Sequence, residues 1–214
     1  MSASRGRFIT LEGGEGAGKS TQARRLAEWL EAAGRDVVQT REPGGADPAE
    51  AVRALLVDGD PDRWSAMGEA LLLYAARLEH WRLTIAPALA RGAWVVCDRF
   101  EDSSFAYQGA GGGLGLDTVR ALGHLVMPKT ARPDLTLVFD VDPRVGLARA
   151  KARDPDPSRF ERQGLAYHDT VRQAFLDIAN AEPKRCAVID ASRDSEAVWS
   201  LVCAAVLDGL GITP

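Results

Sequence analysis

Gly13-Gly14-Glu15-Gly16-Ala17-Gly18-Lys19-Ser20 fits the pattern G-x-x-x-x-G-K-S, and its flanks decide what the pattern means. Phe8, Ile9 and Leu11 precede it as a short strand-like run. Beyond Ser20, the residues Leu26, Ala27, Leu30 and Ala33 recur at helical spacing until Gly34 supplies a stop. Strand, glycine-rich turn and helix in that order aim backbone N–H groups and a helix N-terminus at a polyphosphate. Glycine allows the main chain to approach an anion closely through backbone angles closed to other residues. Gly13 to Thr21 are therefore expected to wrap a nucleoside triphosphate, with Lys19 reaching its β- and γ-phosphates and Ser20 offering a hydroxyl to Mg²⁺. The alternative, a merely structural glycine-rich turn, leaves the matching flanks unexplained.

Bulk properties narrow the setting. A chain of 214 residues is long enough to bury a full core as one α/β domain, with or without a lid. Hydrophobic residues at 46% and charged residues at 26% are ordinary globular values. A net charge of −4 argues against a general binder of nucleic acid or membrane surface. Cys97, Cys186 and Cys203 are widely spaced within apolar stretches, which suits buried thiols and a reducing cytoplasm. His80, His124 and His168 lack ligand spacing with one another or with cysteine. No apolar run approaches the roughly 20 residues that span a bilayer, and the N-terminus carries no signal-peptide core.

Strand and helix signals alternate along the chain. Val37 and Val38 lead into Thr40-Arg41-Glu42-Pro43-Gly44-Gly45, a strand ending in a turn. A helix is expected from about Pro48, carrying Val52, Leu55 and Leu56. A long helical stretch from about Ser65 to Arg91 is expected to bend at Pro87. Ala93 to Cys97 has the continuous apolar character of a strand buried on both faces. Leu135 to Phe139, interrupted by Thr136, and Cys186 to Ile189 are further strand candidates. Helices are expected after Pro143 and from about Ser195 to Leu210, and Gly109 to Gly115 reads as a flexible loop. The simplest architecture is a three-layer, P-loop NTPase-like α/β fold: a five-stranded parallel sheet with covering helices and a short lid.

Three further constellations bear on what the triphosphate is for. Asp98-Arg99 follows the central strand, where strand ends line the ligand crevice. Arginine there suits bidentate capture of a phosphoryl group, and aspartate can orient water on Mg²⁺. A capping aspartate beside a surface arginine is the plainer alternative. Second, if residues 101 to 108 are helical, Ser104 and Gln108 share a face and, with Arg77, can read a nucleobase edge. Tyr107 either covers a ring or fills the core, and for this group a core role stands open. Third, Arg144 to Arg162 holds six cations, including Arg149, Lys151 and Arg153, against three carboxylates. Asp154-Pro155-Asp156-Pro157-Ser158 breaks that helix and reads as a mobile loop. Such a segment suits a basic lid over phosphates, spanning approximately 149–162, or else a solvated helix face with a loose loop.

Together these stretches resemble the thymidylate kinase family, which phosphorylates dTMP with ATP. The resemblance is carried in order by Leu11-Glu12-Gly13 through Lys19-Ser20-Thr21, Thr40 to Gly45, Tyr74-Ala75-Ala76-Arg77, Asp98-Arg99, Ser103 to Gly109, Arg132-Pro133-Asp134-Leu135 and the lid. It implies that Arg99 and Arg53 hold the acceptor phosphate and that Glu15 approaches the acceptor sugar. Glu42, Arg77, Ser104, Tyr107 and Gln108 are implied around the thymidylate. Gly16 in the loop, with Arg149, Lys151 and Arg153 in the lid, resembles the bacterial type whose catalytic arginines sit in the lid. Lys19, Arg99, Arg149 and Arg153 are thus the expected catalytic residues, with Ser20 and Asp98 (through water) at Mg²⁺. The family usually places phenylalanine where Leu73 stands, so ring stacking worth about 1 kcal/mol is absent unless Tyr74 or Phe105 repacks. The family also implies a homodimer through its long helices. Another nucleoside monophosphate kinase and a non-catalytic nucleotide-dependent switch remain as alternatives, although the chain lacks the N-K-x-D motif of guanine readers.

Overall fold

The computed structural model describes residues 5–57, 59–154 and 158–212. Within them β1 (Phe8–Gly13), β2 (Val37–Arg41), β3 (Trp94–Asp98), β4 (Leu135–Asp140) and β5 (Cys186–Asp190) form one sheet. All neighbours are parallel, in the order β2-β3-β1-β4-β5. Strand order reverses around β1, which pairs Leu11 with Asp98 of β3 on one side and with Leu137 of β4 on the other. A crevice opens beyond the carboxyl ends of the strands at such a reversal, and the glycine-rich turn leaves β1 there.

Successive strand residues face opposite ways, and both sets are apolar because helices cover both faces. Ile9, Leu11, Val96 and Leu137 pack against Leu26 and Leu30 of α1 (Lys19–Ala32) and Val202 and Val206 of α9 (Ser195–Leu210). Phe8, Val95 and Cys97 point the other way, onto Tyr74, Trp81 and Ile85. Thr136 interrupts the apolar run of β4 without cost to polar satisfaction. Its hydroxyl lies 2.8 Å from that of Thr10 and accepts from Arg185 at 2.7 Å.

The long helical stretch differs from expectation in where it deforms. α3 (Ala66–His80) passes into a π-helical turn at Trp81–Ile85 before α4 (Ala86–Ala90) begins. Pro87 sits in the first turn of α4, where a missing N–H is tolerated, so the wider turn ahead of it absorbs the irregularity. Gly109 to Gly115 is not simply a loop either. α5 (Glu101–Ser104) continues as a second π-helical stretch, Phe105–Gly111, in which Gly109 is buried against Leu116 and Val119. Two helices escaped the sequence reading, α6 (Leu116–Val126) and α8 (Leu165–Ala181).

Around the crevice, α2 (Asp47–Val57) follows the turn after β2, and α7 (Pro143–Arg153) follows β4. Asp142 caps α7 by accepting from Arg144 N at 2.8 Å, with Pro143 in the first turn. Pro155, Asp156 and Pro157, expected to break this helix, lie outside the described residues. From Ser158 the chain docks on α2, where Arg159 N donates to Val57 O at 3.3 Å.

Candidate active site

The turn between β1 and α1 works because side chains are missing from it. Gly13, Gly16 and Gly18 have φ of 133°, 63° and 87°. A Cβ on Gly16 would lie 1.9 Å from Gly146 O of α7, and one on Gly146 would lie 2.3 Å from Glu15 O. Loop and helix therefore touch backbone to backbone. Lys19 curls back to donate to Gly14 O at 2.6 Å, and no acidic residue occupies the first turn of α1. Burial, then the nearby Arg99 guanidinium, holds the Lys19 ammonium down to about 8. Across the strand tips Ser20 Oγ donates to Asp98 Oδ2 at 2.5 Å, so two hard oxygen donors meet at the mouth of the loop.

Arg99 links this end of the cleft to the other. It is the one non-glycine with positive φ, 71°, among the described residues. Its Nη1 donates to Gly13 O at 2.9 Å and its Nη2 to Glu15 Oε1 at 2.8 Å, while the guanidinium lies over the Tyr107 ring at 4.9 Å. Tyr107 OH donates to the same Glu15 oxygen at 2.9 Å. Burial alone would raise the Glu15 carboxyl, yet Arg99, Lys19 and the Tyr107 bond together hold it down to about 2. Burial also opposes the Arg99 charge, and the facing Tyr107, Glu15 and Asp98 outweigh it and push its pKa up. Behind Arg99, the buried Glu12 carboxylate accepts from Phe100 N at 2.7 Å and from Ser103 Oγ at 2.6 Å. Those bonds pin the residue after the left-handed turn. Burial, then Asp102, pushes Glu12 up to about 7.

At the far end Arg77 is almost wholly buried, 2% exposed, and three of its five N–H groups are engaged. Nε reaches Glu42 Oε2 at 2.7 Å, Nη1 reaches Ser104 Oγ at 2.9 Å and Nη2 reaches Phe100 O at 3.0 Å. His80 Nδ1 lies 3.1 Å from the other Glu42 oxygen. Gln108 Nε2 donates to Glu69 Oε1 at 2.7 Å. Arg53 extends from α2 to donate to Pro43 O at 2.7 Å, and burial followed by Arg41 lowers its pKa. Leu73 forms part of the wall, whereas Tyr74 and Phe105 pack in the core; Phe100, Tyr107 and Phe160 are the rings on the cleft.

One cleft of about 940 Å³ joins these groups. It takes in Glu15 to Thr21, Glu42, Arg53, Leu73, Arg77, Asp98, Arg99, Ser104, Tyr107, Gln108 and Arg153. Gly13 and Gly14 stand behind it, their carbonyls holding Arg99 and Lys19. Arg149 lies off the lining, donating to Ala191 O at 2.9 Å and Ser192 O at 3.3 Å in the loop after β5. Arg153 faces the cleft from the end of α7, 3.5 Å from Glu161. Sequence reading gave no role to Glu12, Glu69 or His80. Glu12 and Glu69 stand in the sequence as single charges among apolar or small residues, and His80, between Glu79 and Arg82, carries no such signal.

A parallel sheet, a glycine loop feeding a helix, and a second cationic pocket facing the loop define a P-loop phosphotransferase with room for two nucleotides. Comparison with known proteins narrows that class. The family model described as thymidylate kinase matches residues 11–202. The thymidylate kinase of Caulobacter vibrioides is 54% identical over 207 residues, 97% of this chain and 99% of that protein. That of Magnetococcus marinus is 52% identical, covering 92% and 93%. A crystal structure of thymidylate kinase from Ehrlichia chaffeensis superposes with a TM-score of 0.77 at 35% identity, covering 94% of this chain and 98% of that one. The chain belongs to the thymidylate kinase family.

Proposed function

We propose that this cleft seats ATP on the glycine loop and dTMP between Arg99 and Gln108, and that the γ-phosphoryl group passes directly between them to give ADP and dTDP. The observation that carries the reading is the position of Arg99, whose guanidinium touches the phosphate loop at Gly13 while facing the second pocket. An oxygen of the acceptor phosphate attacks the γ-phosphorus, and the bond to the β–γ bridging oxygen breaks, its electron pair leaving on ADP. An ionised phosphate is already a nucleophile, so no covalent enzyme intermediate is required, and positioning with charge stabilisation supplies the rate. Lys19, the loop amides and Arg153 face the donor phosphates, and Arg149 reaches them only by leaving the carbonyls of Ala191 and Ser192. Arg99 and Arg53 align the acceptor. Arg77, Ser104 and Gln108 address the base, and Glu15 and Tyr107 the sugar.

Ser20 and Asp98 would hold Mg²⁺ on the triphosphate. Their oxygens suit a hard cation, and Mg²⁺ bound chiefly through phosphates and water needs no cage of protein carboxylates. When bound, it neutralises charge shared by the β- and γ-oxygens. The reading covers the chain as one domain with a lid at approximately 149–162, cytoplasmic and without a nucleic-acid partner. No helix among the described residues is long and apolar enough to cross a membrane. Exposed Met67 and Leu71 on α3 and Leu55 on α2 support a homodimer through these helices.

The test is a coupled ADP-release assay with dTMP, dUMP, dCMP and AMP as acceptors. dTMP is expected to give the highest kcat/KM. Its margin over dUMP is narrow, since one methyl group in an apolar wall is worth about 1–3 kcal/mol. Tight ATP binding without turnover on any acceptor would overturn the reading.

A further inference from the structure

Glu69 lies buried in the first turn of α3 and serves two partners. One oxygen accepts from Gln108 Nε2 at 2.7 Å, and the other accepts from Arg159 Nη2. Arg159 is itself buried and also donates to Leu56 O at 3.0 Å. A carboxylate paired with arginine can only accept, so Gln108 has to turn its NH₂ toward Glu69. Its carbonyl oxygen is thereby left for the cleft, next to Arg77 and Ser104. Among the described residues nothing donates to that oxygen, and it is not sealed away from the cleft.

We infer that Glu69 is a positioning residue which fixes Gln108 as an acceptor and so sets a preference for pyrimidines that carry N3–H over those with a bare N3. The inference rests on the base lying against Arg77 and Gln108, as proposed above. Thymine presents N3–H and satisfies the Gln108 oxygen. 5-Methylcytosine presents a lone pair there, oxygen against nitrogen with no proton between them. The same carboxylate docks the segment after the lid helix through Arg159, so base choice and the seating of that segment share one group.

Glu69→Gln makes a sharp test, because the geometry then favours the opposite arrangement. Arg159 still needs an acceptor and takes the new carbonyl, leaving the new NH₂ facing Gln108. Gln108 responds by turning its own oxygen inward and presenting NH₂ to the cleft. We measure kcat/KM for dTMP and for 5-methyl-dCMP, which differ only at N3 and C4. The ratio of 5-methyl-dCMP to dTMP is expected to rise about tenfold or more in Glu69→Gln, the effect of one relieved mismatch. Loss of both activities in equal proportion overturns the inference, since a purely structural role moves both alike. The exchange Glu69→Gln/Gln108→Glu keeps a donor facing an acceptor at each contact, with Arg159 now bonded to a neutral carbonyl, and places an obligate acceptor at position 108. It is expected to return the ratio to the wild-type value, and it decides the matter if the single variant does not fold. A relaxed ratio in the exchange variant overturns the inference. Failure of the unaltered protein to phosphorylate dTMP would instead sink the proposed function.

Discussion

Arg99 owes its contacts to its backbone: a φ of 71° turns the chain sharply after β3 and sends the guanidinium back across the tip of β1 to Gly13 O. Lys19 shares that crowded space, and the pairing has a pH signature. With the free ammonium held at about 8 by burial and Arg99, the empty loop loses this charge as pH rises past that value. Bound triphosphate restores it. kcat/KM for ATP is therefore expected to fall above pH 8, approaching tenfold per unit, while kcat stays flatter; a level profile to pH 9.5 would refute this. The stability effect has the opposite sense. Between about 8 and the ordinary value of 10.5 the unfolded chain binds the extra proton, so Lys19 makes the fold more stable as pH climbs through that window. At this scale the nearness of Ser20 to Asp98 was legible, because both were expected around one Mg²⁺ at the strand tips, although their direct bond was not. The anchoring of Phe100 N by Glu12 was not, since no local pattern shows which strand carboxylate will be buried beneath a neighbouring turn.

The elements divide in the same way. β1, β3 and β5, α1 and α9 were readable because apolar runs and helical spacing ended at glycine or aspartate. α8 carries an equally regular stripe, Val171, Ala174, Phe175 and Ala179, but starts from Gly164 with no capping side chain to mark it. The π-helical turns had no signal, because one extra residue per turn is a response to packing rather than to propensity. α7 presents the sharpest functional contrast. Arg149 and Arg153 are one turn apart, yet one grips Ala191 and Ser192 and the other faces the cleft. Arg153→Ala is expected to lower kcat by roughly 100-fold with little change in dTMP affinity, because a cation at the transferring group matters most in the transition state. Single-turnover kinetics would check this, and an unimpaired kcat would remove Arg153 from that role.

Across the whole molecule, one buried ion pair ties the acceptor side of the cleft to the far strands. Arg185, just before β5, donates to both oxygens of Asp102 on α5, at 2.6 and 3.1 Å, and to Thr136. Asp102→Ala is expected to cost about 1–3 kcal/mol in urea unfolding, since it removes two charge-assisted bonds while Arg185 keeps Glu182 and Thr136, and no measurable loss would show that those two alone satisfy the guanidinium. Under the proposed homodimer through α3, Leu71→Glu on its exposed face is expected to sediment as a monomer where the unaltered protein sediments as a dimer, without unfolding; a monomeric unaltered protein would refute the dimer. Gly16 and Gly146 meet main chain to main chain, so the loop and α7 compete for one space. An arginine at position 16 would need α7 to move away first, because even its Cβ would fall 1.9 Å from Gly146 O. A cation supplied from position 16 and α7 seated where it is therefore exclude one another, and bringing in the first displaces the second.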